Sequence, residues 1–516
     1  MPSKARGLAS RALAEFRGWR LWGLWQSWME ASVFFRFLSS VSGFLGKVAA
    51  GSFVLGPFFA MGGGGEAGFF RDRLDRLLNR AKPLAPPRAW PARLASLMSG
   101  SVLASRLSAA LDTPFPKGGG SFWGAALWAL TALPAWGAFA LVAAGPALPT
   151  TALFWALLPA GALALLGRKI VVGRYAVALA LFAFVNAAAA FFSVTMRASI
   201  EIAAVASVFM LFSVLLPSLS DRREAAGAFI LAFLLGALIA GLVGLYQHFA
   251  GYAAGAWLAE EQQAYVTFRV FSTFGNPNIF GFYLLLAIPL SAAGAVIFRS
   301  AWLRLSCLGL GAVLLANLLL TYSRGSYLAL ALSAGVIVML MEKRLLALFL
   351  PALAGLFLVL PHPVVARLQS VLNFEDLSTS FRFSIWEGSV RLVRDFWMTG
   401  VGQGSQAFSS VYSFYALAAT PTLHAHNLYL QLAAELGVPG LLVFLGLMAC
   451  YFREMADFHR RAAGPGARFL AAVFIAAPLG VLFQGLVDHV FFGFGFMFAF
   501  YSFLGIGLLS ARVLRD

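Results

Sequence analysis

Residues 278–298 read NIFGFYLLLAIPLSAAGAVIF, twenty-one positions without a charged side chain, closed by Arg299. At about 1.5 Å per residue, such a helix is about 31 Å long, which matches the thickness of a bilayer's hydrocarbon core. Blocks of this kind recur along the chain. Of its 516 residues, 60% are hydrophobic and 11% are charged, too few charges to coat a water-facing surface. The length alone suggests three or four soluble domains, but apolar blocks of roughly 20 residues predict an all-α, polytopic membrane protein instead.

Twelve spans are expected, near 122–144, 148–166, 174–193, 199–217, 226–249, 278–298, 303–322, 325–341, 345–361, 428–452, 468–487 and 490–511. Lys and Arg exceed Asp and Glu by 38 to 21, a net charge of +17. In this setting the excess marks cytoplasmic faces and anionic membrane lipid, not nucleic acid. Short segments on one side of the spans carry fifteen basic residues: Arg168, Lys169, Arg174, Arg222, Arg223, Arg299, Arg304, Lys343, Arg344, Arg453, Arg460, Arg461, Arg468, Arg512 and Arg515. The other side carries seven: Arg197, Arg269, Arg324, Arg367, Arg382, Arg391 and Arg394. The positive-inside rule then places both termini in the cytoplasm.

Residues 1–120 hold the other sixteen basic residues and lack a clean span. Trp19, Trp22, Trp25 and Trp28 recur beside Arg17 and Arg20, and Phe70, Leu74, Leu77 and Leu78 share a helical face in FFRDRLDRLLNR. Both patterns predict a basic amphipathic region on the cytoplasmic membrane surface. Val48 to Met61 reads either as a re-entrant segment or as a half-span, and the spread of charges before the first apolar block makes a poor signal peptide. Residues 121–516 form the transmembrane domain. It includes two long outer loops, 250–277 and 362–427, and loops of that length are commonly functional. Cys307 and Cys450 each lie in apolar sequence, so there is neither a disulfide framework nor a cysteine metal motif.

The chemistry-bearing residues fall on the outer side. Arg324, in TYSRGS, is twenty residues beyond Arg304 and nineteen before Lys343. It is either a snorkelling interfacial arginine or an anion clamp, since a guanidinium presents a planar fork of donors to phosphate. In the loop 362–427, Phe383, Trp386 and Val390 predict a helix pressed on the membrane. Arg382, on the same stretch, either pairs with Glu387 or Asp395, or faces Arg324 to hold a diphosphate. The loop ends in HAHNLYLQLAAELGVPG, with Asn427 as a helix N-cap, Gly437 as a stop and Pro439 opening the next span.

His426 then sits at a helix N-terminus, where the helix dipole and partial burial disfavour imidazolium and leave a ring able to accept a hydroxyl proton. His424 competes for that role, and the pair His-x-His also raises a metal reading. That reading is set aside because no third ligand is near in sequence, so no metal or other cofactor is expected. In FRVFSTFGNPNIFGFY, Asn276 and Asn278 flank Pro277 in a turn that enters a span, and Arg269 upstream offers a third positive charge for phosphate. Asp488 and His489, in the turn between the last two spans, either orient a substrate or pair with each other.

Four stretches occur in order: STFGNPN (Ser272 to Asn278), SRG (Ser323 to Gly325), FRFSIW (Phe381 to Trp386), and His426, Asn427, LYLQLAAEL, Gly437, Val438, Pro439, Gly440, a His-Asn, nine residues, Gly-x-x-Gly pattern. Together they resemble the O-antigen ligase and O-antigen polymerase superfamily of bacterial membrane glycosyltransferases, over about residues 120–511. The resemblance implies a GT-C-like helical fold in the bacterial cytoplasmic (inner) membrane, with an extracytoplasmic active site and a large outer loop between spans nine and ten. It implies a donor glycan on undecaprenyl diphosphate, a lipid or glycan acceptor, and metal-independent transfer. The family's catalytic histidine falls on His426 and its two essential arginines on Arg324 and Arg382. Ligase and polymerase chemistry both fit; only the product separates one transfer from a growing ladder. A lipid-linked-glycan transporter or flippase is the alternative of another class, but the spans hold few mid-membrane ionisable groups and the polar residues gather at one face.

Overall fold

The computed structural model describes residues 171–219, 223–251, 268–356, 364–365, 369, 377–417 and 422–515. The expected spans 122–144 and 148–166, the basic region 1–120 and most of the loop 250–277 lie outside the described residues.

The described chain is helical throughout, in the order α1 (Arg174–Phe191), α2 (Met196–Leu219), α3 (Arg223–Phe249), α4 (Pro277–Ile297), α5 (Ala301–Thr321), α6 (Arg324–Glu342), α7 (Leu346–Leu356), α8 (Leu377–Asp395), α9 (Ser405–Tyr412), α10 (Leu428–Arg461), α11 (Pro465–Gln484) and α12 (Phe494–Val513). Nine of these, α1 to α6 and α10 to α12, are long and apolar enough to cross a membrane. They coincide with nine of the expected spans. The expected span 345–361 is represented by the eleven residues of α7, and its remainder lies outside the described residues.

The bundle is organised around α4, which packs on α3, α5, α6, α11 and α12. Its Phe280, Phe282, Leu284, Leu285, Leu286 and Ala287 are fully buried. By contrast α5 and α6 leave most of their surface uncovered by protein, including Trp302, Leu305 and Leu308, as lipid-facing helices do. Buried hydroxyls and amides cross-link the spans: Tyr175 and Ser213 hydroxyls are 2.9 Å apart, Asn317 Nδ2 donates to Gly241 O at 3.0 Å, and Ser333 Oγ donates to Ala476 O at 2.9 Å. In a low-dielectric interior such bonds replace the hydrophobic drive that lipid does not supply.

Helix starts and breaks follow from local chemistry. Asn276 caps α4, its Oδ1 accepting from Asn278 N at 2.8 Å and Ile279 N at 3.4 Å, with Pro277 in the first helical position where its missing N–H costs nothing. Asn427 caps α10 in the same way, accepting from Tyr429 N at 2.9 Å and Leu430 N at 3.0 Å. α10 breaks at Gly437, whose φ of 73° and ψ of 169° divide it into a short half-helix and a span. The span continues past the expected end at 452 to Arg461, because Met455 and Phe458, one turn apart, are fully buried.

Alternation of the helices gives the bundle two polar ends. At one, Ala462 bridges Arg515, the Arg515 guanidinium donates to Glu454 at 3.1 Å, and His459 lies against the carbonyls of Leu340 and Arg468. At the other, Arg269 Nε donates to Thr321 O at 2.8 Å and Leu428 N to Gly485 O at 2.7 Å. This second end holds every candidate site residue.

Candidate functional site

The loop 422–427 enters α10 through His426, a non-glycine residue with φ of 47°. That left-handed conformation is uncommon for a side-chain-bearing residue and is held by its neighbours. The His426 N–H donates to His424 Nδ1 at 3.2 Å, and the Trp386 indole N–H donates to His426 O at 3.3 Å. Trp386, expected on the membrane-facing side of its helix, thus turns its polar edge inward. Phe383 and Val390 do remain exposed on α8 while Ile385, Ser389 and Leu392 are buried, the amphipathic division the sequence predicts.

Strain at His426 aims its imidazole at the turn between α11 and α12. His426 Nδ1 is 3.3 Å from Asp488 Oδ1. The carboxylate's other oxygen accepts from Asn278 Nδ2 at 2.7 Å, and Asn278 Oδ1 accepts from the Arg269 guanidinium at 2.9 Å. Arg269, Asn278, Asp488 and His426 therefore form one polar chain that ties α4, α5, α10 and the α11–α12 turn together. Asp488 Oδ1 also accepts the backbone N–H of His489 at 2.8 Å, which answers the question of whether Asp488 and His489 pair: they do so through the backbone, while the carboxylate faces His426.

Electrostatics sharpen this assignment. Burial alone would raise the Asp488 pKa. The hydrogen bond to His426, with the electrostatic influence of His426, Arg382 and His424, overrides it and holds the carboxyl below the usual range, ionised across physiological pH. His424 is pushed down to about 4, first by burial and then by its neighbour His426, with Asp488 opposing and Arg382 adding to the effect. Its Nδ1 accepts the His426 N–H, which a neutral ring permits. His489 is pushed down to about 3 by burial and then by His424, against the pull of Asp488.

Of the arginines, Arg382, on the helix whose Trp386 donates to His426 O, acts electrostatically on both His424 and Asp488. Its alternative partners are engaged elsewhere: Glu387 accepts from Arg391 at 2.7 Å and Asp395 from the Tyr415 hydroxyl at 2.6 Å. Arg382 Nε is buried and, among the described residues, has no hydrogen-bond partner. Arg324 opens α6 at the same end. Its neighbour Gly325 packs near Gln484 and Val487, and Ser326 Oγ donates to Gln484 Oε1 at 3.0 Å, just before the Asp488 turn. Arg269 uses Nε and one terminal nitrogen on Thr321 and Asn278, so the structure gives it a bracing position. Asn276 and Asn427 serve as caps, and Asn427 Nδ2 also donates to Leu486 O at 2.8 Å.

Sequence reading missed a second polar group beneath the loop. Glu435, buried on the half-helix, accepts from Gln431 Nε2 at 2.8 Å and from Gly404 N at 3.0 Å, while Gln431 Oε1 accepts from Ala425 N at 2.6 Å. These bonds join the GVGQGS turn, residues 400–405, and the histidine loop to one helix. The signal was present as an acid and an amide four residues apart in an otherwise apolar helix, a placement that in a membrane segment calls for a partner. The GVGQGS turn docks on the helix break itself: Val401 N donates to Ala434 O at 2.8 Å and Val438 N to Trp397 O at 2.7 Å. A Cβ on Gly437 would stand 2.6 Å from Met398 O, and one on Gly400 would press into the carbonyl of Glu435, so both positions require glycine.

Among the described residues, the arrangement offers a carboxylate-braced imidazole, two buried imidazoles and an arginine whose charge reaches them. Comparison with curated proteins found no match. A family model described as O-antigen ligase matches residues 309–445. The matched stretch includes Arg324, Arg382, His426, Asn427 and Gly437, whereas Arg269, Asn278 and Asp488 come from outside it. Such a family implies, in general terms, ligase- or polymerase-type transfer between a lipid-linked glycan and an acceptor. Over this stretch the chain is similar to the O-antigen ligase family.

Proposed function

We propose that the protein transfers an undecaprenyl-diphosphate-linked glycan to an acceptor hydroxyl on the outer face of the cytoplasmic membrane, in the manner of an O-antigen ligase. The observation that carries this reading is the His426–Asp488 contact of 3.3 Å in a site on which the Arg382 charge acts. With Nδ1–H donating to Asp488, the Nε2 lone pair of His426 accepts the acceptor's hydroxyl proton. The freed oxygen bonds to the anomeric carbon of the donor sugar, the bond from that carbon to the diphosphate breaks, and the electron pair leaves on the diphosphate oxygen. Arg382 and Arg324 neutralise that growing charge, Arg269 contributes from the bracing chain, and single displacement inverts the anomeric centre. No step calls for a metal ion.

Asn276, Asn278, Asn427, His424 and His489 position these groups, on this reading, and Asp488 fixes the ring's tautomer. The same reading places twelve spans in a GT-C-like arrangement, both termini in the cytoplasm, residues 1–120 on the inner membrane surface and the histidine end outside. The distribution of basic residues supports that orientation: Arg299, Arg304, Lys343, Arg344, Arg460, Arg461 and Arg515 all belong to the opposite end.

The test is incubation of purified full-length protein with an undecaprenyl-diphosphate glycan and candidate acceptors, followed by mass analysis of both products. Glycosylated acceptor together with released undecaprenyl diphosphate is expected, and its loss in His426→Ala protein that inserts normally. Full transfer by that variant would remove the base role. A ladder of donor-length increments would assign the polymerase reaction instead, and movement of donor across a vesicle without transfer would assign transport.

A further inference from the structure

We propose that His424, His426 and Asp488 also form a binding site for a divalent transition-metal ion of the zinc type, and that the ion is a reversible blocker of the site. Each residue offers one ligand atom, and the three atoms lie within 4.8 Å of one another. The sequence alone set a metal aside for want of a third ligand; the fold brings that ligand from 62 residues away.

Spacing favours chelation. Two ligands about 2.1 Å from zinc at a tetrahedral angle stand about 3.4 Å apart. His426 Nδ1 and Asp488 Oδ1 are already 3.3 Å apart. The His424 ring centre is 4.0 Å from that of His426, the rings tilted by 56°, with His424 Nδ1 turned to the His426 backbone, so a rotation of this one imidazole completes the set. A fourth nitrogen borders the cluster: His489 Nδ1 is buried without a hydrogen-bond partner among the described residues, and its ring centre is 5.6 Å from that of His424.

Two imidazoles and one carboxylate suit zinc, cobalt or nickel. Magnesium and calcium prefer six or more oxygen ligands and find no such shell here. The Arg382 charge acting on Asp488 works against a further cation, which makes this an exchangeable site and not a structural one. Occupancy has a direct chemical consequence. A neutral imidazole has one nitrogen lone pair, so a metal on either nitrogen leaves the proton on the other and no base remains. That consequence rests on His426 being the base; binding itself does not.

The experiment uses full-length protein in detergent, without a polyhistidine tag and stripped by a chelator, titrated with Co²⁺ alone and then with Zn²⁺. One Co²⁺ per chain is expected, with visible ligand-field bands that one equivalent of Zn²⁺ abolishes and Mg²⁺ leaves intact. His424→Gln and His426→Gln should each weaken binding by more than the roughly 10- to 100-fold that loss of an outer partner costs. His459→Gln, at the opposite end, should bind as wild type. Unchanged affinity in both site variants, or loss of the bands in His459→Gln, overturns the site. In protein that transfers glycan, saturating Zn²⁺ should slow transfer at least about tenfold, the effect of 1.4 kcal/mol on a barrier, and chelation should restore it. Undiminished transfer with the site filled overturns the blocking role. Wild-type protein without transfer counts against the glycosyltransferase reading, and the Co²⁺ bands still decide the metal site.

Discussion

The two ends of the bundle each hold a histidine, built for opposite purposes. His459 has a backbone carbonyl at both ring nitrogens, Arg468 O and Leu340 O, each at 3.2 Å. Carbonyl oxygens only accept, so whichever nitrogen carries the proton donates to a carbonyl, and the ring sits between α6, α10 and α11. His426 has a carboxylate at one nitrogen, and among the described residues no hydrogen bond engages the other. A ring held by an ionised acid on one side keeps a lone pair for chemistry on the other. The lesson is that the environment of the second nitrogen, not the presence of histidine near a helix end, separates a structural from a reactive imidazole.

The sharpest way to break this comparison is to remove both rings in turn. His426→Ala should lower the transfer rate about 10²- to 10⁴-fold, the usual worth of a general base. His459→Ala should leave it within about twofold and instead lower the thermal stability, since a hydrogen bond worth about 1 kcal/mol is lost. Steady-state transfer assays paired with melting curves in detergent measure both, and equal kinetic effects would dissolve the contrast.

Charge at the reactive end comes next. Arg382→Ala should cost about 10²- to 10³-fold in transfer, and Arg382→Lys should recover only part because an ammonium keeps the charge without the planar fork. Asp488→Asn should cost on the order of 10- to 100-fold in kcat with little change in KM, as one charge-assisted bond of about 1.5–3 kcal/mol is removed. A KM effect alone would place Asp488 in substrate binding instead.

A backbone comparison follows on one helix. Gly437→Ala should destabilise the protein by at least about 1–3 kcal/mol, since it forces a side chain into a left-handed position against Met398 O. Gly446→Ala, on the same helix with nothing within 4 Å of its Cβ, should be neutral or stabilising by up to about 1 kcal/mol. The smallest effect concerns pH. His424 and His489 are held at about 4 and about 3 against about 6.5 when unfolded, so between those values the unfolded chain binds more protons. Stability should therefore decline as pH falls from about 6.5 towards 4, and His424→Gln should flatten the decline. An unchanged slope would show that the ring is not buried neutral.

Much of this was legible before any coordinates. Runs such as 278–298 and 468–487 reveal helices because a bilayer demands length and apolarity from each segment independently. Caps at Asn276 and Asn427 and the break at Gly437 are local backbone chemistry and were readable for the same reason. The outcome was poorer where a residue's role depended on a distant partner. Arg382 had Glu387 and Asp395 as near neighbours in sequence, yet Arg391 and Tyr415 occupy those acids and the Arg382 charge acts on the site. Trp386 fitted an apolar stripe, but its indole nitrogen is drawn inward by the strained His426 carbonyl. Glu435 and Gln431 drew no notice because their partners, Gly404 and Ala425, belong to other segments.

What sequence by itself determined is nine membrane-length helices among the described residues, the caps at Asn276 and Asn427, the break at Gly437, and the end of the bundle where the polar residues collect, since each follows from forces acting within one segment and its solvent. What only tertiary structure decided is which of those polar residues meet. Asp488 comes to His426 through the packing of α11 beside α10 and the bond from Leu428 N to Gly485 O, and Arg269 comes to both through Asn278 on α4. Pairing across 62 and more residues is set by how helices pack, and no single stretch of chain encodes it.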